Sequence, residues 1–135
     1  NADAVRRAIG PEPGLIAVVK ADGYGHGGPA VARTLASFAT RFGVATLGEA
    51  RAVRSAVPDH DIMILSPCLP AERPAALAES FIPVVSSAAE ARAYALAGEG
   101  RPARIHLAID TGMGRIGVWQ DDAIATAREI ASHPG

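Results

Sequence analysis

The sequence predicts an α/β protein built around a parallel β-sheet. Five short apolar segments of strand type recur along the 135 residues, and they alternate with segments whose apolar residues repeat at helical spacing. Each strand-type segment ends in polar or glycine-containing sequence. This alternation is typical of βαβ units, whose strands run parallel.

Two architectures satisfy the alternation. An open doubly wound parallel sheet is complete at this length. A TIM-type (β/α)8 barrel needs about 250 residues, so this chain would supply its N-terminal portion, about five β/α units. In both architectures, ligands bind at the carboxyl ends of the strands, so the segments that follow the strands are where functional residues are expected.

The first third of the chain predicts a helix, a strand and a second helix. Residues 2–9 place apolar side chains at helical spacing, and the Gly- and Pro-rich residues 10–14 end that helix. Residues 15–19 are almost continuously apolar, which suits a strand buried on both faces. Residues 29–39 are helical, with a proline in the first turn, where its missing N–H costs nothing.

The remaining elements continue the alternation. A capped helix is predicted at 88–97, because Ser86 and Ser87 precede it. The apolar runs predict strands at 42–47, 62–65, 81–85 and 105–109. The helical patterns predict further helices at 48–57, at 71–79, and from Asp121 and Asp122 to near His133.

Composition excludes several classes of protein. Hydrophobic residues make up 49% of the chain, so it folds, and the net charge of −1 gives no reason to expect nucleic acid or an anionic membrane as a partner. The single cysteine, Cys68, excludes an internal disulfide and is consistent with a reducing compartment. No apolar run reaches the roughly 20 residues of a membrane span, and no signal peptide is visible. The chain begins with Asn and ends in His-Pro-Gly, so we expect it to be part of a longer protein.

Lys20 is the first candidate functional residue. It follows an apolar strand and precedes a glycine-rich loop. A strand-end lysine normally extends into water. An amine held against apolar walls loses hydration and becomes a usable nucleophile toward carbonyls, as lysines that form Schiff bases require.

The loop after Lys20 has two interpretations. Residues 23–28 satisfy the pattern G-x-G-x-x-G between a strand and a helix, which is typical of dinucleotide binding, with Glu49 as the ribose-binding acid. Alternatively, the loop N–H groups and the Tyr24 hydroxyl bind a single phosphate. We expect His26 to be a helix-entry residue that hydrogen-bonds to the backbone.

A second glycine-rich loop runs from Asp110 to Gly117. We expect Asp110 to orient this loop. Arg115 lies between glycines, where its guanidinium either grips a ligand carboxylate or phenolate in the strand-end cleft or pairs with Asp110.

The other candidate side chains suggest no chemistry. We expect His60 and His133 to be solvated in turns and His106 to make a core contact. Cys68 lies beyond a strand end but has no nearby histidine to activate it. The motifs of zinc and P-loop sites are absent from the sequence.

Two segments resemble a known family. Residues 18–27, Val-Val-Lys-Ala-Asp-Gly-Tyr-Gly-His-Gly, resemble the cofactor-lysine signature of the alanine racemase family. Residues 109–117, Ile-Asp-Thr-Gly-Met-Gly-Arg-Ile-Gly, resemble a second motif of that family at about the right separation. Residues 42–49 and 81–87 resemble the intervening strands more loosely, so the resemblance covers nearly the whole chain.

The resemblance implies an isomerase that uses pyridoxal 5'-phosphate (PLP). It implies that Lys20 forms an aldimine with PLP and acts as one of two acid/base groups. It also implies that Tyr24 contacts the cofactor phosphate, and that Arg115 lies near the phenolate oxygen and the substrate carboxylate. The implied fold is the N-terminal barrel of a two-domain, homodimeric cytoplasmic enzyme. Its implied reaction is the racemisation of L-alanine to D-alanine for cell-wall peptidoglycan by two-base transfer of the α-proton.

The chain departs from the family pattern at Ala108, where many members have a lysine, in some carried as a carbamate that positions the arginine. The resemblance places the opposite-face base in the second domain of the partner subunit, outside this chain. The later barrel strands also lie outside it. We therefore expect the isolated 135-residue chain to be inactive. The alternatives are a nucleotide-binding α/β domain and a non-catalytic PLP-binding fragment.

Overall fold

Residues 1–133 are described by a computed structural model, and they belong to two units, Asn1–Ser66 and Pro67–Gly135. Each unit is built from parallel strands and helices. Within residues 1–133, no helix has the length and apolar character that a membrane span requires.

The first unit has three parallel strands in the order β1-β2-β3. Ala17 is paired with Phe42, and Phe42 with Ile62, so the strands are in register at their centres. The elements in chain order are α1 (Ala2–Ile9), β1 (Ile16–Val18), α2 (Lys20–Tyr24), α3 (Gly28–Leu35), β2 (Arg41–Val44), α4 (Leu47–Ala56) and β3 (Asp61–Ile64).

The core of this unit lies on β2, β3 and the helices. Phe42, Val44, Ile62 and Ile64 are fully buried. The prediction that the strand at 15–19 is buried on both faces is wrong, because Ile16 and Val18 are 43% and 40% exposed while Val19 is 2% exposed. Alternate residues of a strand face opposite sides, and Val19 faces a small cavity that it shares with residues of α3 and α4.

The second unit has two pairs of short parallel strands. Val84 and Val85 of β4 pair with β5, and β6 pairs with β7. After a 3-10 turn at Pro70–Glu72, the elements are α5 (Arg73–Ala78), β4 (Ile82–Val85), α6 (Ala88–Ala97), β5 (His106–Leu107), β6 (Ile109–Asp110) and β7 (Val118–Trp119). A 3-10 turn at Gln120–Asp122 then leads into α7 (Ala123–Ala131).

Most predicted elements are present, with three differences. The predicted strand 105–109 is interrupted at Ala108 and becomes two strands with different partners. Strand β7 was not predicted, because two residues are too few for a periodic signal. The helical turn α2 lies where the sequence predicted only a loop. Helix α6 has the predicted bounds, and Ser87 caps it by accepting a hydrogen bond from Glu90 N.

Candidate functional site

The segment after β1 is a left-handed turn. Five consecutive residues, Ala21 to Gly25, have positive φ, and Ala21 and Asp22 are close to the ideal left-handed helix at φ 51° and 52°. A non-glycine residue in this conformation costs about 1–2 kcal/mol. Ala21, Asp22 and Tyr24 all pay this cost, so contacts around the turn must hold it in place.

Hydrogen bonds within the loop provide part of that support. Gly23 N donates to Val19 O at 2.9 Å, and Gly27 N donates to Asp22 O at 2.9 Å. The Asp22 carboxylate accepts a hydrogen bond from Gly28 N at 2.7 Å. These bonds tie both ends of the turn to the end of β1 and the start of α3.

Close packing explains two of the loop glycines. A Cβ on Gly23, at φ +64°, would lie 3.2 Å from the backbone of Gly28 and 3.2 Å from a methyl of Val31. Gly28 is itself buried and faces Gly23 N and Val19 O. The match to G-x-G-x-x-G therefore reflects how closely the turn packs on α3, and pyrophosphate binding is not needed to explain it.

Glu49 supports the turn from another element. Its Oε1 accepts a hydrogen bond from Ala21 N at 2.8 Å, and its Oε2 accepts one from Ala45 N at 2.7 Å. Its own N–H donates to the Thr46 hydroxyl, which caps α4. Glu49 thus binds the protein's own backbone with both carboxylate oxygens. The dinucleotide interpretation had assigned this carboxylate to the hydroxyls of a bound ribose.

Lys20 lies directly before this turn, and Tyr24 lies near its end. Lys20 is half-buried at the carboxyl end of β1, and Tyr24 is 60% exposed. His26 Nδ1 lies 3.2 Å from Gly23 O and 3.2 Å from Tyr24 O, so its predicted backbone contact is confirmed. One amine and one phenol hydroxyl are thus presented from a fixed backbone.

Composition carries a further signal at Lys20. The thirteen basic residues comprise twelve arginines and this one lysine. Arginine replaces lysine for most structural ion pairs, but only lysine offers an amine that attacks carbonyl groups. Lys20 is therefore the one lysine amine that the sequence contains.

The second glycine-rich loop, in the other unit, is held by Asp110. Asp110 Oδ1 accepts hydrogen bonds from Gly112 N at 2.9 Å and Gly114 N at 3.1 Å. These N–H donors hold the pKa of the Asp110 carboxyl below its ordinary value. The prediction that Asp110 orients the loop is confirmed.

Arg115 is exposed on this second loop. Within residues 1–133 it has no ion pair with Asp110, so the alternative of an Arg–Asp pair is not what holds the loop. Ala108 is half-buried, and its backbone forms hydrogen bonds with Val85 and Val118. Its methyl side chain has no amine, so it cannot carry the carbamate that a lysine at this position could carry.

The remaining candidates have structural roles. Cys68 is buried, and burial raises the pKa of its thiol, which suits an unreactive side chain. His60 is not solvated as predicted: it is half-buried, packs edge-on against Phe42 at 5.4 Å between ring centroids, and lies 3.0 Å from Ala36 O. His106 is half-buried in β5, and His133 is exposed beside Arg92. No cluster of three metal-ligating side chains occurs in the described part of the chain.

Sequence reasoning missed the structural role of Glu49. The signal was present in the sequence as Thr46-Leu47-Gly48-Glu49, the S/T-x-x-E pattern of a capping box. That pattern identifies the cap of α4. It does not reveal the bond from Glu49 to Ala21, which depends on how the chain folds.

Comparisons with known proteins place the whole chain in one family. The family model described as alanine racemase, N-terminal domain, matches residues 1–135. An alanine racemase of Lacticaseibacillus casei is 43% identical over 127 residues, which cover 89% of this chain and 33% of that protein. The crystal structure of a biosynthetic alanine racemase from Pseudomonas aeruginosa has a TM-score of 0.86 and 32% identity, covering 99% of this chain and 38% of that one.

A relative with another name has the same fold. A histidine racemase from Leuconostoc mesenteroides has a TM-score of 0.83 and 29% identity, covering 96% of this chain and 36% of that one. The chain spans about a third of the length of the curated relatives it matches. The predicted fold class, an α/β chain forming the N-terminal part of a (β/α)8 barrel domain, is confirmed over the doubly wound alternative.

Proposed function

Because the chain belongs to the alanine racemase N-terminal domain family, we propose that it is the PLP-binding part of an amino-acid racemase that acts on alanine. The observation that carries the proposal is the placement of the single lysine, Lys20, half-buried at the end of β1 and directly before a strained turn. Strain of this kind accumulates at functional sites, where it presents a side chain in one direction.

The residues present fit the chemistry of PLP. Lys20 offers an amine for an aldehyde, and the exposed Tyr24 offers a hydroxyl for a phosphate. Arg115 offers a guanidinium for an anionic oxygen of the cofactor or for a substrate carboxylate. When bound, PLP supplies an aldehyde carbon for the lysine and a ring that accepts electrons.

Lys20 would hold the cofactor and move one proton. Its Nζ takes or returns the proton at the substrate Cα on one face, which is general acid–base work for an amine. Racemisation needs a second group on the opposite face, and that group would come from outside this chain. Tyr24, fixed by the turn, would keep the phosphate end in place while the proton moves.

Arg115 would orient the substrate. A guanidinium binds a carboxylate through two parallel hydrogen bonds, which fixes the plane of the carboxylate and so the direction of the α-proton. Asp110 holds the loop backbone on either side of Met113, so Arg115 starts from a defined position. With Ala108 in place of a lysine, the loop backbone is the support that remains.

The wider setting follows from the same family. We propose that the parent protein is a cytoplasmic homodimer that supplies D-alanine for peptidoglycan, and that this chain alone is inactive. The names of the relatives support alanine as substrate. The name of the histidine racemase, which shares this fold, supports the further proposal that the remainder of the protein sets specificity.

Solvent-hydrogen exchange tests the proposed activity. The intact protein, given PLP and either enantiomer of alanine in D2O, should incorporate deuterium at Cα and interconvert the enantiomers. Lys20→Ala should abolish both, and Arg115→Ala should raise KM for alanine more than it lowers PLP affinity. Exchange that persists in Lys20→Ala, or an intact protein that binds PLP but never exchanges the α-hydrogen, contradicts the proposal.

A further inference from the structure

Two strand-to-helix connections of this chain use the same cap. In the first, between β2 and α4, Thr46 Oγ1 accepts from Glu49 N at 3.2 Å and Glu49 Oε2 accepts from Ala45 N at 2.7 Å. In the second, between β4 and α6, the corresponding distances are 3.1 Å from Glu90 N to Ser87 Oγ and 2.8 Å from Ser86 N to Glu90 Oε2. One carboxylate oxygen is therefore enough to complete this kind of cap.

Glu49 uses its second oxygen for something else. Its Oε1 accepts a hydrogen bond from Ala21 N at 2.8 Å, a contact between residues 28 positions apart. Within residues 1–133, the Glu90 carboxylate accepts its hydrogen bond from Ser86 N, inside its own connection. The difference between the two carboxylates is a single bond, and that bond reaches the turn after Lys20.

The position of this bond matters for Lys20. The N–H of Ala21 belongs to the peptide plane that starts at the Lys20 carbonyl, so holding it fixes ψ of Lys20 and the direction of its Cα–Cβ bond. On the other side, Val19 N donates to Gly43 O at 2.8 Å, and Val19 O accepts from Gly23 N. Lys20 is therefore held by backbone bonds before and after it.

The energies of turn and bond are comparable. A left-handed alanine costs about 1–2 kcal/mol, and a hydrogen bond to a charged group contributes about 1.5–3 kcal/mol. The Glu49 bond is thus large enough to offset the strain at Ala21. Glu49 is half-buried and borders the cavity with Val19 and Val53.

We propose that Glu49 is a positioning residue: by holding the left-handed turn, it sets the direction in which Lys20 and Tyr24 are presented to a phosphate-bearing aldehyde. This inference rests on the proposed function for the identity of the ligand. The part of the inference that Glu49 holds the turn is independent of the proposed function, because it concerns only the hydrogen bond to the Ala21 backbone.

The same substitution, glutamate to glutamine, made in each of the two caps tests the proposal in the intact protein. Glu49→Gln and Glu90→Gln each weaken one cap, but only Glu49→Gln weakens the bond to Ala21. Without cofactor, hydrogen exchange of the Ala21 amide should be about 10- to 100-fold faster in Glu49→Gln, because glutamine has one neutral acceptor oxygen for the two N–H groups that the carboxylate binds. It should be unchanged in Glu90→Gln. Equal Ala21 exchange in the two variants overturns the proposal.

The second readout is the capture of PLP by Lys20, followed as the label that borohydride fixes on that residue. Glu49→Gln should slow the capture about tenfold, whereas Glu90→Gln should match the wild type. Ala21→Gly, which removes the strain of a left-handed alanine, should restore part of the rate in the double variant with Glu49→Gln. Capture that is equally fast in both glutamine variants overturns the positioning role.

The two proposals fail in distinguishable ways. If the wild-type protein takes no label on Lys20, the proposed function is wrong, and Ala21 exchange alone then decides whether Glu49 holds the turn. If the wild type is labelled and Glu49→Gln is labelled as fast, the proposed function stands and the positioning role is wrong. Glu49→Gln keeps the size of the side chain, so the comparison does not depend on a truncated variant that fails to fold.

Discussion

The two glycine-rich loops of this chain follow strands in the same way but are held differently. The loop after β1 is tied to the start of α3 through Asp22 and to α4 through Glu49, and its Gly23 is buried. The loop after β6 is held by the carboxylate of its own Asp110, and residues 111–116 are exposed. Substitutions in the first loop should therefore affect the whole unit, and those in the second should act locally.

The largest effect is expected from Gly23→Ala. The new Cβ would lie 3.2 Å from the Gly28 backbone at a φ of +64°, so the variant combines crowding with left-handed strain. We expect the free energy of unfolding to fall by about 2–4 kcal/mol, measured by urea denaturation of the intact protein. Gly25→Ala is the control, because its φ is +86° with nothing within 4 Å, and it should lose only about 1–2 kcal/mol. Equal losses would show that close packing does not hold this loop.

Gly117→Ala should have a smaller, local effect in the second loop. Its Cβ would lie 2.8 Å from Asp110 N at a φ of +111°, so the loop must shift. We expect a loss of about 1–3 kcal/mol together with moved amide resonances of Gly112 and Gly114. In Gly112→Ala, the new Cβ meets nothing within 4 Å but the φ of +133° is strained for alanine, so the Gly114 resonance should move less than in Gly117→Ala. A cooperative loss as large as that of Gly23→Ala would contradict the distinction between the loops.

Removing the N-cap side chains of α4 and α6 gives a further comparison. Thr46→Ala and Ser87→Ala should each lower the free energy of unfolding by about 1 kcal/mol, since each removes one N-cap bond. Only Thr46→Ala should also speed exchange of the Ala21 amide, because its helix carries Glu49. Faster Ala21 exchange in Ser87→Ala would mean that the turn responds to general loss of stability.

The smallest effect is the acid response of the second loop. The pKa of Asp110 is lowered in the folded chain, so its bonds to Gly112 and Gly114 are complete above its ordinary pKa of 3.8 and are lost as the pH falls through the lower folded value. The amide resonances of Gly112 and Gly114 should move in that range in the wild type and stay constant in Asp110→Asn. The Ala21 resonance should not follow the Asp110 titration.

Local patterns predicted much of this structure. Helix α6 has the bounds expected from its apolar spacing and its serine cap, because cap and periodicity lie within a dozen residues of sequence. Asp110 was expected to orient its loop for the same reason: its partners, Gly112 and Gly114, are two and four residues away.

Features that depend on distant contacts were not predictable. Ala21, Asp22 and Tyr24 adopt a conformation that their residue types disfavour, and a carboxylate 28 residues from Ala21 supports it. His60 was expected in water because it lies in a predicted turn, but it packs on Phe42. In both cases the deciding partner lies outside the sequence window from which local structure is inferred.

The most direct test of the central claim is the site at which PLP becomes attached. The intact protein is incubated with PLP, reduced with borohydride and digested, and the peptides are identified by mass spectrometry. We expect a pyridoxyl group on Lys20, the single lysine of this chain. A label found only at another amine of the protein, with the peptide that contains Lys20 unmodified, would contradict it.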